Sequence, residues 1–551
     1  MMPQRLLLTL ALSTLGAAAA PLNPIELIRS ELDKGSRTIR VPAGQYRLLP
    51  PDNAKAYITL ANVSDVTIDL TGVEIVGQRR TRMVDLIRCR NVTLRGLTID
   101  YETLPFTQAT IRSVSPNGEW DVQVLPGYPT EDIISADICW PIQAYGRDSG
   151  ELVNPMRFRD SISVVRTGHD TYRISGGLDR RGNVGDIAVW SLCEPNGVPT
   201  VGSAIALSHC ADITLEDITV YSTPRGCGFL DMYGHGNTYR RCRLIRRPPE
   251  TDLQPRTLRR LRSGNHDAFM SRCASKGPRY LDCVAMYHCD DCVNISGMYS
   301  FITAANGSDA RIVVNWAGFN FQPGDTCQLM TDDGQCREDL TVVAIRDDGD
   351  ATPDEKALFQ TYGLWPGLAD SCRKAYRLTL DKAVPELRPG SVIISAQRHG
   401  SDFIITGCRF GHSRARGLLI KASDGLIEDN LIEACSGSGL QMSPEYEWME
   451  GGCSSRVTVR NNTFRANGDW GAVAAGASGR RQPLAPNAHR QLQFVGNRFL
   501  QSPQGLSVSS CTGLVIRDNR FELPPDRPHV TVQHAQDVIQ ENNGPLEPQH
   551  P

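Results

Sequence analysis

The chain has 551 residues, with 58 basic against 61 acidic side chains and a formal net charge of −3. That length allows a large core or several domains, and so even a charge balance provides no field that would draw the protein to nucleic acid or an anionic membrane. After the first residues, no stretch approaches the roughly 20 apolar residues of a membrane span.

Met1 to Ala20 reads as an export signal: Arg5, an apolar run from Leu6, then Ala17-Ala18-Ala19-Ala20. A secreted or periplasmic, soluble protein is expected, divided from residue 21 onward. Ile25 to Lys34 reads as an amphipathic helix that caps the open end of a sheet. Thr38-Ile39-Arg40-Val41-Pro42-Ala43-Gly44-Gln45-Tyr46 then starts a repeat. Asn91-Val92-Thr93-Leu94-Arg95-Gly96-Leu97-Thr98-Ile99 resembles Ala211 to Val220, and both match Phe403 to Phe410, Leu426 to Ile432 and Val457 to Phe464. Each unit is a short alternating strand, a Gly/Asn/Asp corner and another short strand. A period of 22 to 24 residues with such strands predicts an all-β right-handed parallel β-helix, its coils stacked about 4.8 Å apart. The spaced leucines and helices of a leucine-rich repeat are missing.

Two stretches break the period, 104–200 and 301–398, and both read as inserted β-barrel-like modules. The expected order is a signal (1–20), capping helix and first coils (21–103), first module (104–200), coils with an acidic site (201–300), second module (301–398), and C-terminal coils with a tail (399–551). Seventeen cysteines suit an oxidising compartment. Cys210, Cys242, Cys283, Cys408 and Cys435 sit where coils point inward, however, so a ladder of mostly reduced thiols with few disulfides is expected.

The chemistry concentrates in Asn265-His266-Asp267 and, one coil later, Cys289-Asp290-Asp291-Cys292-Val293-Asn294. Lone aspartates cap turns. Three in register on adjacent coils instead suggest acid/base work on sugars, because close carboxylates cannot all ionise and one must keep its proton. The expected catalytic residues are Asp267, Asp290 and Asp291, with Asp267 and Asp291 as the acid/base pair and Asp290 beside the water or the alternative base. His266, Arg272 and Asn294 are candidate substrate contacts, as are Trp448 and Glu450 in the acidic, aromatic segment Pro444 to Gly451. Cys289-x-x-Cys292 lacks a second pair, so no metal or other cofactor is expected.

These motifs and this layout resemble glycoside hydrolase family 110, whose members are exported α-1,3-galactosidases. The resemblance implies removal of terminal α-1,3-linked galactose, blood-group-B-like or linear Galα1-3Gal, from oligosaccharides or glycoconjugates, with inversion. Inversion calls for carboxyls about 6.5–9.5 Å apart, a gap that Asp267 and Asp291 would span by leaning apart. The alternatives are a polygalacturonase-like pectin hydrolase or a glycan-binding β-helix without catalysis. Against the first, Gly234-His235-Gly236 precedes the aspartates and Lys421 has no Arg two places earlier, so the expected clamp for a uronate carboxylate is absent. The sequence leaves open the preference between linear and branched substrates and the oligomeric state, a homodimer included.

Overall fold

The computed structural model describes residues 23–51, 54–130, 142–154, 163–176, 182–192, 202–315, 319–468, 471–477 and 486–546. The export segment therefore lies outside the described residues. Among those described, no helix is long and apolar enough to cross a membrane.

The chain is a right-handed parallel β-helix. Its strands run from Thr38–Arg40 to Gly544–Pro545 and join into one sheet of 32 strands. Apolar residues alternate inward along each strand, as in Arg90–Tyr101 and Leu506–Arg517, and stack into one continuous core from Ile28 to Phe521. Like residues one coil apart meet face to face. Phe229 and Phe269 lie with ring centroids 4.7 Å apart, and Phe464, Phe499 and Phe521 follow at 5.5 and 4.8 Å. The helix Pro24–Asp33, N-capped by Asn23, buries Ile28 against the first coil and closes that end.

The corner pairs divide two tasks between their members. The first residue of each pair takes the left-handed backbone, as at Asp429, Asn461, Gly496, Asp518 and Asn542. The second turns inward. Asn430, Asn462, Asn497, Asn519 and Asn543 form a ladder in which each Oδ1 accepts the backbone N–H and the Nδ2 of the Asn one coil earlier, at 2.9–3.1 Å. The ladder satisfies backbone groups at bends where the sheet cannot. The fifteen cysteines of the described residues are all free. Several of them donate to carbonyls inside the coil, as Cys210 does to Leu86 and Cys242 to Leu215, both at 3.3 Å.

Two antiparallel units leave the coil. The first has seven strands between Phe106–Val114 and Ile187–Ser191, forming a sheet. The second starts at Ser300, two residues after the site-bearing strand Val293–Met298 ends, and closes a six-stranded barrel. It also carries the helices Pro353–Thr361 and Pro366–Ser371, which the strand-rich sequence did not reveal.

Asn462→Ala should destabilise the protein by about 1–3 kcal/mol, because it strands the buried donors of Asn430. Denaturant unfolding would measure this, and no loss would deny the ladder a structural role.

Candidate active site

Asp267, Asp291 and Arg416 each stand two residues before a strand: Phe269–Arg272, Val293–Met298 and Leu418–Ile420. These strands pair in parallel, Phe269 with Val293 and Val293 with Leu418. Register alone therefore stacks the three side chains on consecutive coils. Asp290 comes with Asp291.

The carboxylates converge more tightly than expected. One oxygen from each of Asp267, Asp290 and Asp291 lies within 4.8 Å of the others. The expectation that Asp267 and Asp291 lean apart across a wide gap is not met. The cause is the stacking distance between coils, reinforced by the Asp291 N–H, which donates to Asp267 Oδ1 at 2.9 Å. All three are buried, at 2 %, 7 % and 2 % exposure.

Burial is the largest influence on each and raises all three carboxyls above the usual aspartate range. Mutual repulsion adds to this: Asp291 acts on Asp267, Asp267 on Asp290, and Asp290 on Asp291. Cations pull the other way, unequally. Arg416 holds Asp291 through its backbone N–H and Nε on Oδ1 at 2.9 and 2.8 Å, and through Nη2 on Oδ2 at 2.8 Å. Arg414 Nη2 lies 3.0 Å from Asp290 Oδ1. His266 Nδ1 lies 3.5 Å from Asp267 Oδ2.

A second acidic pair faces these groups. Glu450–Gly451 pairs antiparallel with the end of the Val293–Met298 strand. Glu450 is bonded by Arg272, by Lys421 at 2.7 Å and by Asn294 Nδ2 at 3.4 Å. Glu445 receives Lys421 at 2.6 Å and Arg416 at 3.2 Å. Burial opposes both charges, yet Lys421 with Arg272 or Arg416 holds each glutamate below its ordinary range. The wall is thus an alternating lattice of five carboxylates and four cations.

Of the residues expected from sequence, Asp267, Asp290, Asp291, His266, Arg272, Asn294 and Glu450 come together here. Trp448 packs against Trp365 of the second module, with centroids 5.1 Å apart. Cys289 and Cys292 diverge: Cys289 donates to Gln143 at 3.1 Å, while Cys292 sits 3.3 Å from His288 Nε2.

Sequence reasoning missed Arg414, Arg416 and Glu445, and judged Lys421 only by the lack of an Arg two places before it, not by the acids that it bridges. The signal lay in aligning Arg416-Gly417-Leu418 with Asp291-Cys292-Val293 across the inserted barrel. The first module braces the loop before Asp267. Arg262, fully buried, donates to Gln143, Ser191, Val189 O and Asn265 Oδ1 at 2.6–3.2 Å.

The fold and site define a parallel β-helix protein with a buried cluster of carboxylates. A family model described as right handed beta helix region matches residues 390–543. The relatives bear out the resemblance read from sequence. Alpha-1,3-galactosidase B of Bacteroides thetaiotaomicron is 24 % identical over 88 % of this chain and 79 % of its own length. The protein of the same name from Phocaeicola vulgatus is 23 % identical over 94 % of this chain and 87 % of its own. Among solved structures, the Azotobacter vinelandii mannuronan C-5 epimerase AlgE4 A-module aligns over 95 % of this chain and 92 % of its own, at 10 % identity and a TM-score of 0.42.

Removing Arg416 would leave Asp291 and Glu445 buried without their shared partner. Arg416→Met should cost about 3–5 kcal/mol of stability, read by thermal or denaturant unfolding. A change under about 1 kcal/mol would show that the lattice does not depend on it.

Proposed function

We propose that the chain is an exo-acting glycoside hydrolase that removes terminal α-1,3-linked galactose from glycans, by inversion. The observation that carries this reading is the gathering of Asp267, Asp290 and Asp291 within 4.8 Å on adjacent coils, with unequal donor support. The curated relatives supply the linkage.

The donor pattern supports a division of labour different from the Asp267–Asp291 acid/base pair expected from sequence. Asp291 has both oxygens held by Arg416, which favours a permanent carboxylate. Asp267 accepts an N–H on one oxygen and faces His266 with the other. Asp290 faces the Arg414 guanidinium, 3.0 Å from its Oδ1, without the two-oxygen grip that Arg416 has on Asp291. The shared proton therefore belongs on Asp290, the general acid toward the leaving oxygen. Asp267 takes the proton of the attacking water, and Asp291 stays charged beside it. A carboxylate gap this short is the one that retaining enzymes use, but a covalent intermediate requires a carboxylate oxygen free to attack the sugar. Asp291 has both oxygens on Arg416, so water is taken as the nucleophile, and inversion is what the resemblance to glycoside hydrolase family 110 implies.

The cations around the site argue for a neutral sugar. Arg272, Arg414, Arg416 and Lys421 each bond a carboxylate of this wall. A uronate would have to displace one of those bonds. Galactose needs only hydroxyl partners, which Glu445, Glu450, Asn294 and His266 provide.

The test is galactose release from Galα1-3Gal, with polygalacturonate as the competing substrate. Asp267→Asn, Asp290→Asn and Asp291→Asn should each lower turnover of the disaccharide by about 10²–10⁴-fold. On an aryl α-galactoside, whose leaving group needs no proton, Asp290→Asn should recover most of its loss and the other two should not. Cleavage of polygalacturonate alone would overturn the substrate reading. Equal losses for all three variants on both galactosides would overturn the assignment of the acid.

A further inference from the structure

Cys227 has no part in the chemistry above, yet its thiol borders it. Several coil cysteines hydrogen-bond to backbone carbonyls, as Cys283 does to Tyr239 O at 3.3 Å. Cys227 differs. It is 4 % exposed, and its Sγ lies 3.7 Å from His266 Nδ1 and 3.9 Å from the Met270 thioether. His266 Nδ1 is in turn 3.5 Å from Asp267 Oδ2. The donor atoms of Cys227, His266 and Asp267 all lie within 4.8 Å of one another.

These are the spacings of a tetrahedral metal site. With a zinc–sulfur bond of about 2.3 Å and zinc–nitrogen and zinc–oxygen bonds of about 2.0–2.2 Å, the tetrahedral edges come to about 3.6 Å for S···N and about 3.4 Å for N···O. The two edges through His266 Nδ1, 3.7 and 3.5 Å, exceed these by about 0.1 Å, and the third, from sulfur to carboxylate, lies within 4.8 Å, so small side-chain rotations close the site. The donor set is one thiolate, one imidazole and one carboxylate, with a polarisable thioether beside the sulfur. That set suits zinc or cadmium, whereas calcium and magnesium prefer six or more oxygens. Access is provided by His266, whose side chain is 41 % exposed while Asp267 beneath it is 2 % exposed.

We propose that Cys227, His266 and Asp267 form an inhibitory site for a thiophilic divalent cation such as zinc, which blocks hydrolysis by taking Asp267 as a ligand. Binding replaces the thiol proton of Cys227 and any proton on His266 Nδ1, both released to solvent. The bound Asp267 then no longer receives a proton from the attacking water. The inhibitory half rests on the proposed function, whereas the binding half does not.

The experiment uses the full chain and Cys227→Ala, with Cys227→Ser as the second variant should the alanine protein not fold. Zinc binding is measured by isothermal titration, and cadmium binding by the ultraviolet absorption of the cadmium–thiolate bond. The native protein should bind one zinc per chain and show that absorption. The variant should bind zinc at least about tenfold more weakly, since even partners one step removed from a metal are worth 10–100-fold in affinity. Galactose release should persist in EDTA, fall on zinc addition and return on chelation. The variant should keep its basal activity and need at least about tenfold more zinc for the same inhibition. Equal zinc binding by native and variant proteins would overturn the site. Weaker binding by the variant with unchanged inhibition would overturn the inhibitory role. A chain without galactosidase activity that still loses its zinc with Cys227 would keep the site and refute the proposed function.

Discussion

The site depends on the register of one parallel sheet. Because coils stack in step, Asp267, Asp291 and Arg416 arrive one above another, and their charges must be balanced where they stand. Buried carboxylates are costly unless paired and hydrogen-bonded. The solution here is an alternating lattice: Arg414 to Asp290, Arg416 to Asp291 and Glu445, Lys421 to Glu445 and Glu450, and Arg272 to Glu450. A slip of one residue in any of these strands would turn an acid or a cation to the other face. The solenoid therefore defines the geometry of the candidate site.

The insertions hold the lattice in place. The barrel leaves the coil directly after Met298, and the excursion bearing Glu445 and Glu450 folds back along that same strand. Behind Asp267, buried Arg262 ties the preceding loop to Gln143 and Ser191 of the first module. A catalytic group needs its rotamer fixed from behind as well as its position fixed by the chain. The two modules supply that support from either side of the coil.

Much of this was legible in the sequence, because a solenoid writes its structure as a period. The capping helix, the coils, both interruptions and the acidic triplet all follow from spacing. The pairing of Asp291 with Arg416 was hidden because about a hundred inserted residues separate two coils that touch. Lys421 was misjudged for a related reason: a motif search asks which residue stands two places earlier, whereas the structure asks which acids face it across coils. The ladder asparagines were not legible, since sequence cannot tell which member of a corner pair adopts the left-handed backbone and which turns inward. The tight convergence of the carboxylates follows from the coil stacking distance, but the hydrogen bond from Asp291 N–H to Asp267 that reinforces it could not be read from sequence.

The central claim is that this cluster divides into one proton donor, one base for the attacking water and one carboxylate that stays charged, so that the glycosidic bond is broken in a single displacement. Proton NMR of Galα1-3Gal during the first turnovers tests it most directly, by recording the anomer released before mutarotation mixes the forms. The account predicts β-galactose as the first product. Initial release of α-galactose would contradict it, because retention requires a carboxylate to attack the sugar where water is placed here.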